Sequence, residues 1–156
     1  MASRTSPVFR RAAYRAVRGS HGPRREFKIT LGLRAGYGPS GRLYDLEEAV
    51  RAAHDWMIAR ARRNETFLTG MFTRGEVLYA RSPLVTDREP VAIFSGEALP
   101  LSARKLDDAR IAALLDELAA VMARTLEQEE VQIAYRDATW TLRRVRVNRA
   151  ARSRDK

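Results

Sequence analysis

The sequence predicts an α+β fold in which one antiparallel sheet carries two helices on a single face. Two observations lead there. Apolar residues alternate with polar ones over 27–34 and 131–135, and a short apolar run stands at 91–94; these mark strands. Apolar residues recur at helical spacing after Asp45 and after Asp107, which marks two long helices.

The first strand is Phe27, Ile29, Leu31 and Leu33, alternating with Lys28, Thr30, Gly32 and Arg34. A glycine-rich loop, Gly36 to Gly41, leads to Asp45, and Glu48 three residues on makes a capping-box start. The helix continues to about Arg63, with an apolar stripe of Leu46, Val50, Ala53, Met57 and Ala61. Residues 67–73 and 76–81 are β-prone runs about Arg74-Gly75, a hairpin or a bulged long strand. Pro83 to Pro90 reads as a polar loop and Val91 to Phe94 as a short strand. The second helix, about Asp107 to Glu129, has a stripe running from Ile111 through Leu115, Leu118 and Met122 to Leu126. Val131, Ile133 and Tyr135 alternate, the chain turns at 136–138, and Thr139 to Val147 returns as a last strand with Trp140 and Leu142 on one face.

That order predicts a ferredoxin-like βαββαβ sandwich with an extra hairpin. It resembles that of many small ferredoxin-like domains, among them signalling trimers and RNA-binding modules, in element order alone; no family motif is matched. A doubly wound sheet is disfavoured because two helices would serve five or six strands. The expected organisation is a basic amphipathic arm and linker over 1–25, one α+β domain over 26–142, and a basic arm over 143–156.

Charge divides the chain the same way. Of 29 basic and 19 acidic side chains, seven arginines and no acid lie in 1–25, and six arginines, one lysine and Asp155 lie in 143–156. The body between them is slightly acidic. Ser6, Pro7 and Gly19 mark the ends of a short helix in the N-terminal arm, with Phe9 and Tyr14 interleaved among arginines. No stretch approaches the about 20 apolar residues that cross a bilayer, so no membrane span is expected. No apolar run follows the N-terminal arginines, so no secretory signal is expected. The chain has no cysteine, which excludes disulfides, thiolate metal sites and a cysteine nucleophile; a cytoplasmic location fits.

The arms lead the functional reading. Guanidinium grips phosphate bidentately, so Arg4, Arg10, Arg11, Arg15, Arg18, Arg24 and Arg25, with Arg143, Arg144, Arg146, Arg149, Arg152 and Arg154, are the expected phosphate contacts. The expected function is non-catalytic binding of nucleic acid, DNA or RNA, with low sequence specificity. The alternative is an oligomeric ferredoxin-like sensor or scaffold whose N-terminal amphipathic helix docks on a partner protein; a homo-oligomer is expected. An organelle address over 1–25 ranks below both.

Within the body, Gly36-Tyr37-Gly38-Pro39-Ser40-Gly41 fits G-x-G-x-x-G literally, between a strand and a helix. The helix starts too late for these glycines to form its first turn, and no acid ends the following strand, so a dinucleotide site is rejected. Phosphate capture by Gly36, Gly38 and Gly41 with Arg42 is the intermediate reading. His54 reads as a half-buried structural histidine, and a lone histidine makes a poor metal site. The aromatic stacking signature of an RNA-recognition sheet is absent from 91–98. No metal or cofactor is expected, and an enzyme is the class the sequence supports least.

Overall fold

Phe27, Ile29 and Leu31 point to one side of the first strand, and two helices cover that side. The structure is a computed structural model that describes residues 14–98 and 106–145. Its elements are β1 (Glu26–Gly32), α1 (Leu46–Arg62), β2 (Gly70–Ser82), β3 (Val85–Glu97), α2 (Asp108–Thr125), β4 (Glu130–Tyr135) and β5 (Ala138–Arg143). All strand pairs are antiparallel, and the sheet order is β2-β3-β1-β4-β5. The pairings that join β1 to its neighbours set Ile29 opposite Phe94 and Ile133. All three side chains belong to one buried cluster, with Leu115, Leu118 and Met122 of α2 and Ala49, Ala53 and Trp56 of α1.

Local chemistry starts the helices where the sequence indicates. Asp45 accepts a hydrogen bond from the Glu48 backbone N–H, and Glu48 accepts one from that of Asp45, each at 3.0 Å. Asp107 caps α2 by accepting from the Arg110 N–H at 2.7 Å. The second helix stops at Thr125, short of the expected Glu129, because Glu127 takes a left-handed φ of 52° and turns the chain toward β4. The buried face of α1 is also rotated from the expected stripe: Ala49, Ala52, Trp56 and Arg60 are buried, whereas Val50 and Met57 are only partly so. Small alanines let α1 lie close to α2, and polar groups on Trp56 and Arg60 are satisfied between the helices.

The largest departure concerns 67–90. Neither a turn at Arg74-Gly75 nor a loop at 83–90 forms. Both strands run 13 residues, with Gly75 paired to Val91 and Glu89 to Val77, and the chain reverses after Ser82. A side chain at Gly75 would press on Val91 and Ile93, which explains a glycine inside a strand. A long strand does form, but its register is regular through Arg74-Gly75 and shifts only between Ala80 and Ser82, next to the turn. Beyond the helices this hairpin is exposed on both faces, which is why its sequence does not alternate as a half-buried strand would. In the N-terminal segment, 14–17 form no helix, and Gly19 takes its positive φ in a turn closed by Ser20 N–H to the Val17 carbonyl; the rest of the expected arm helix, and residues 146–156, lie outside the described residues. No helix among the described residues is long and apolar enough to cross a membrane.

One polar knot fastens α1 to α2. Arg60 is 5% exposed, and its Nη1 donates to both Glu117 oxygens at 2.8 and 3.0 Å. Its Nε donates to the Thr66 carbonyl, and the Trp56 indole also donates to Glu117. Glu117→Ala would leave the Arg60 guanidinium only Glu65 at 3.4 Å and the Thr66 carbonyl, so chemical denaturation should show a loss of about 1.5–3 kcal/mol, the range for hydrogen bonds to a charged group.

Candidate active site

The face of the sheet opposite the helices has no covering layer among the described residues. Strand periodicity puts Thr30 and Gly32, Val77 and Tyr79, Glu89 and Gln132 on that face. A cleft of about 410 Å³ opens there, roofed at one side by the loop 36–39.

Gly32 lies at the floor. Its pairing with Val91 places Glu89, two residues earlier on the same face of β3, just past the end of β1. One oxygen of Glu89 and the carboxamide oxygen of Gln128 both lie over Gly32, where a methyl group would collide with each. Gln128 is buried and fixed, because its Nε2 donates to the Arg34 and Leu126 carbonyls at 2.8 Å. Burial pushes the Glu89 carboxyl above the usual carboxylate range, and the Arg34 guanidinium pulls the other way without cancelling it. Asp87, Glu129 and Glu130 add further carboxylates to the lining, against Arg34 and Arg88. Arg143 and Arg144 stand against Glu130 and Glu129 from outside the lining, so the charges around the cleft largely balance, and Glu89 is the carboxyl set apart by burial.

The glycine loop is held from beneath. Arg34 Nη1 donates to the Pro39 and Gly41 carbonyls at 3.0 and 3.1 Å. Ala35 N–H bonds the Arg42 carbonyl, and Gly36 N–H bonds the Glu127 carbonyl. The buried ring of Tyr44 ends in a hydroxyl that donates to Glu127 at 2.7 Å, tying the same loop to the end of α2. Gly36 and Gly38 need their positive φ values, and Gly41 lies against the Ala35 carbonyl where no side chain fits. Gly36 and Gly38 line the cleft, but Arg42 does not: it bonds Glu48 at 3.0 Å and lies over the Tyr44 ring. The glycines shape the rim, and the loop's Gly36 N–H is already taken.

Of the six arm arginines among the described residues, four are engaged with the body. Arg24 bonds Glu26. Arg25 donates to the Tyr135 hydroxyl at 3.1 Å and the Leu106 carbonyl at 3.0 Å. Arg143 donates to Glu130 at 2.7 Å, and Arg144 stands 3.9 Å from Glu129. Arg15 and Arg18 are exposed, and Arg4, Arg10, Arg11, Arg146, Arg149, Arg152 and Arg154 lie outside the described residues. His54 is exposed rather than half-buried, 3.6 Å from Asp55 on the outer face of α1, away from the cleft. No cluster of three potential metal ligands occurs among the described residues.

Sequence reasoning missed Glu89, Gln128 and Asp87. Glu89 and Asp87 stood in a stretch read as loop, and Gln128 in one read as the last turn of the second helix. The single local signal was Gly32, a glycine inside an otherwise strong strand.

No protein-family model matches the chain, and no curated protein matches it in sequence. Among solved structures it is similar to a phage SAM lyase in its apo state, at 15% identity and a TM-score of 0.61, over 87% of this chain and 100% of that one. It is similar also to a phage SAM lyase in complex with S-methyl-5'-thioadenosine, at 14% identity and a TM-score of 0.57, over 80% of this chain and 92% of that one. At this identity the likeness is one of fold: an α+β chain with a five-stranded antiparallel sheet and two helices.

These findings correct the expected function. The fold neighbours are enzymes named for a small molecule, not nucleic-acid-binding proteins. Non-catalytic binding of DNA or RNA through the arms, and the alternative of a scaffold docking by its N-terminal helix, are both set aside. The physical reason is that charge counted along the chain ignored pairing: four of the arm arginines bond or face carboxylates and carbonyls of the body.

Gly32→Ala should fold, since the colliding atoms are side-chain tips, but it should push Glu89 outward into water. NMR titration of Glu89 should then show its carboxyl returning toward the ordinary range.

Proposed function

We propose that this chain is an enzyme of the lyase class that cleaves a sulfonium nucleoside, S-adenosylmethionine (SAM), in the cleft over Gly32. The observation that carries the proposal is the half-buried Glu89 carboxyl held over Gly32 in the cleft beneath the glycine loop. The fold likeness to phage SAM lyases, one of them holding S-methyl-5'-thioadenosine, supports it. We read the architecture as a ferredoxin-like sandwich widened by the β4–β5 hairpin, with 26–142 as the working domain, 1–25 and 143–156 as appendages, and a cytoplasmic setting.

The charges fit. SAM carries positive charge on its sulfur and its ammonium group, and one carboxylate. Glu89 in a partly desolvated position attracts either cation more strongly than an exposed acid would. Arg34 uses Nη1 on the loop and keeps its other donors for the substrate carboxylate. Cleavage breaks the bond between sulfur and the four-carbon unit, and its electron pair goes to sulfur, releasing neutral S-methyl-5'-thioadenosine. Without water, the carbon side closes either by loss of a proton or by ring closure through the substrate's own carboxylate. Glu89 acts in this reading as the holder of the cation, which fits ring closure, where no proton need move.

Incubation of the full chain with SAM should yield S-methyl-5'-thioadenosine by chromatography, and its complete absence would refute the reading. Glu89→Gln should lower kcat/KM for SAM about tenfold or more, chiefly by raising KM, because the carboxylate holds a cation already present in the substrate. For the wild type, the rate should fall as pH drops through the raised Glu89 pKa, above the ordinary carboxylate range; the Gln variant should lack that limb. Stability runs the opposite way. A carboxyl whose pKa is raised by folding contributes stability below its unfolded pKa and loses it as pH rises through the folded value. At neutral pH, Glu89→Gln should therefore melt no lower than the wild type.

A further inference from the structure

We infer that Tyr37 is the residue that stacks on the purine of the nucleoside, an assignment that rests on the functional reading above. Tyr37 is 71% exposed, stands outside the buried core, and lines the cleft from the loop that roofs it. Single exposed aromatics are ordinary on protein surfaces. Three features set this one apart.

First, it is flanked by Gly36 and Gly38 at φ values of 65° and 106°, and a side chain added at either would meet nothing within 4 Å. The loop backbone on either side of Tyr37 is therefore uncovered. Second, the loop beneath is anchored by Arg34 and by Gly36 N–H on Glu127, so the ring is presented from a fixed base. Third, the phenol tip faces Glu130, and Glu130 is itself held by Arg143 at 2.7 Å. An aromatic with only two rotatable bonds loses little entropy on stacking.

The placement also orients the ligand. The base lies at the loop side of the cleft under Tyr37, and the cationic end lies toward Glu89. Glu89 and Tyr37 come from β3 and the β1–α1 loop, so the two ends of the nucleoside are read by separate elements.

The experiment is calorimetric binding of S-methyl-5'-thioadenosine and of 5-methylthioribose, which lacks the base, to full-length wild type, Tyr37→Phe and Tyr37→Ala. Tyr37→Ala should weaken binding of the nucleoside about tenfold, as loss of one base–aromatic stack does, and leave methylthioribose unchanged. Tyr37→Phe should bind close to wild type. In steady state Tyr37→Ala should raise KM for SAM and leave kcat nearly unaltered. Equal loss for both ligands, or nucleoside affinity equal to wild type in Tyr37→Ala, overturns the assignment. Wild type that binds S-methyl-5'-thioadenosine but cleaves no SAM overturns the lyase reading and leaves the stacking comparison decisive. Wild type that binds neither ligand overturns both.

Discussion

Two helices can cover only one face of a five-stranded sheet, and the rest of this structure follows from that limit. Phe27, Ile29, Leu31, Ala92, Phe94, Val131 and Ile133 all turn to the covered side. Their neighbours in sequence turn to the other side, where no layer of the described chain shields them. A sheet with one wet face can carry polar side chains at fixed spacing on rigid backbone. Thr30, Glu89 and Gln132 are such side chains, and their backbones are pinned by strand pairing rather than by loops.

The end of α2 joins the two sides. Glu127 breaks the helix with a left-handed turn, and Gln128 reaches back to the Arg34 carbonyl. Tyr44, at the foot of α1, bonds Glu127. Helix ends, the glycine loop and the cleft floor thus share one set of hydrogen bonds. Replacing Gln128 would disturb the Glu89 position and the loop support together.

Much of the covered face was legible in the sequence. Alternation gave β1 and β4, the Asp45–Glu48 box gave the start of α1, and Trp140 and Leu142 were placed together on the packed side of β5. The open face was not legible, for a physical reason. Periodicity reports contrast between a buried and a wet side, and 76–80 and 82–86 are exposed on both while Asp87 and Glu89 are polar on the partly buried one, so the strand pairing leaves no hydrophobic pattern. Glu89 belongs to that stretch. Its importance comes from Gly32, which is far away in sequence and adjacent only through the β1–β3 register. The basic arms misled for a related reason: net charge along the chain is a one-dimensional quantity, and pairs such as Arg143 with Glu130 form only in three dimensions.

Helix α2 holds consecutive acids, Asp116 and Glu117, that face different neighbours. Asp116 accepts from the indole of Trp140 on β5 at 2.7 Å, and Glu117 accepts from the indole of Trp56 on α1 at 2.8 Å. The chain has two tryptophans, and both are thus tied to the same helix from opposite flanks. Intrinsic emission from this protein consequently monitors one event, the detachment of α2, and a shift in wavelength reads the seating of that single helix.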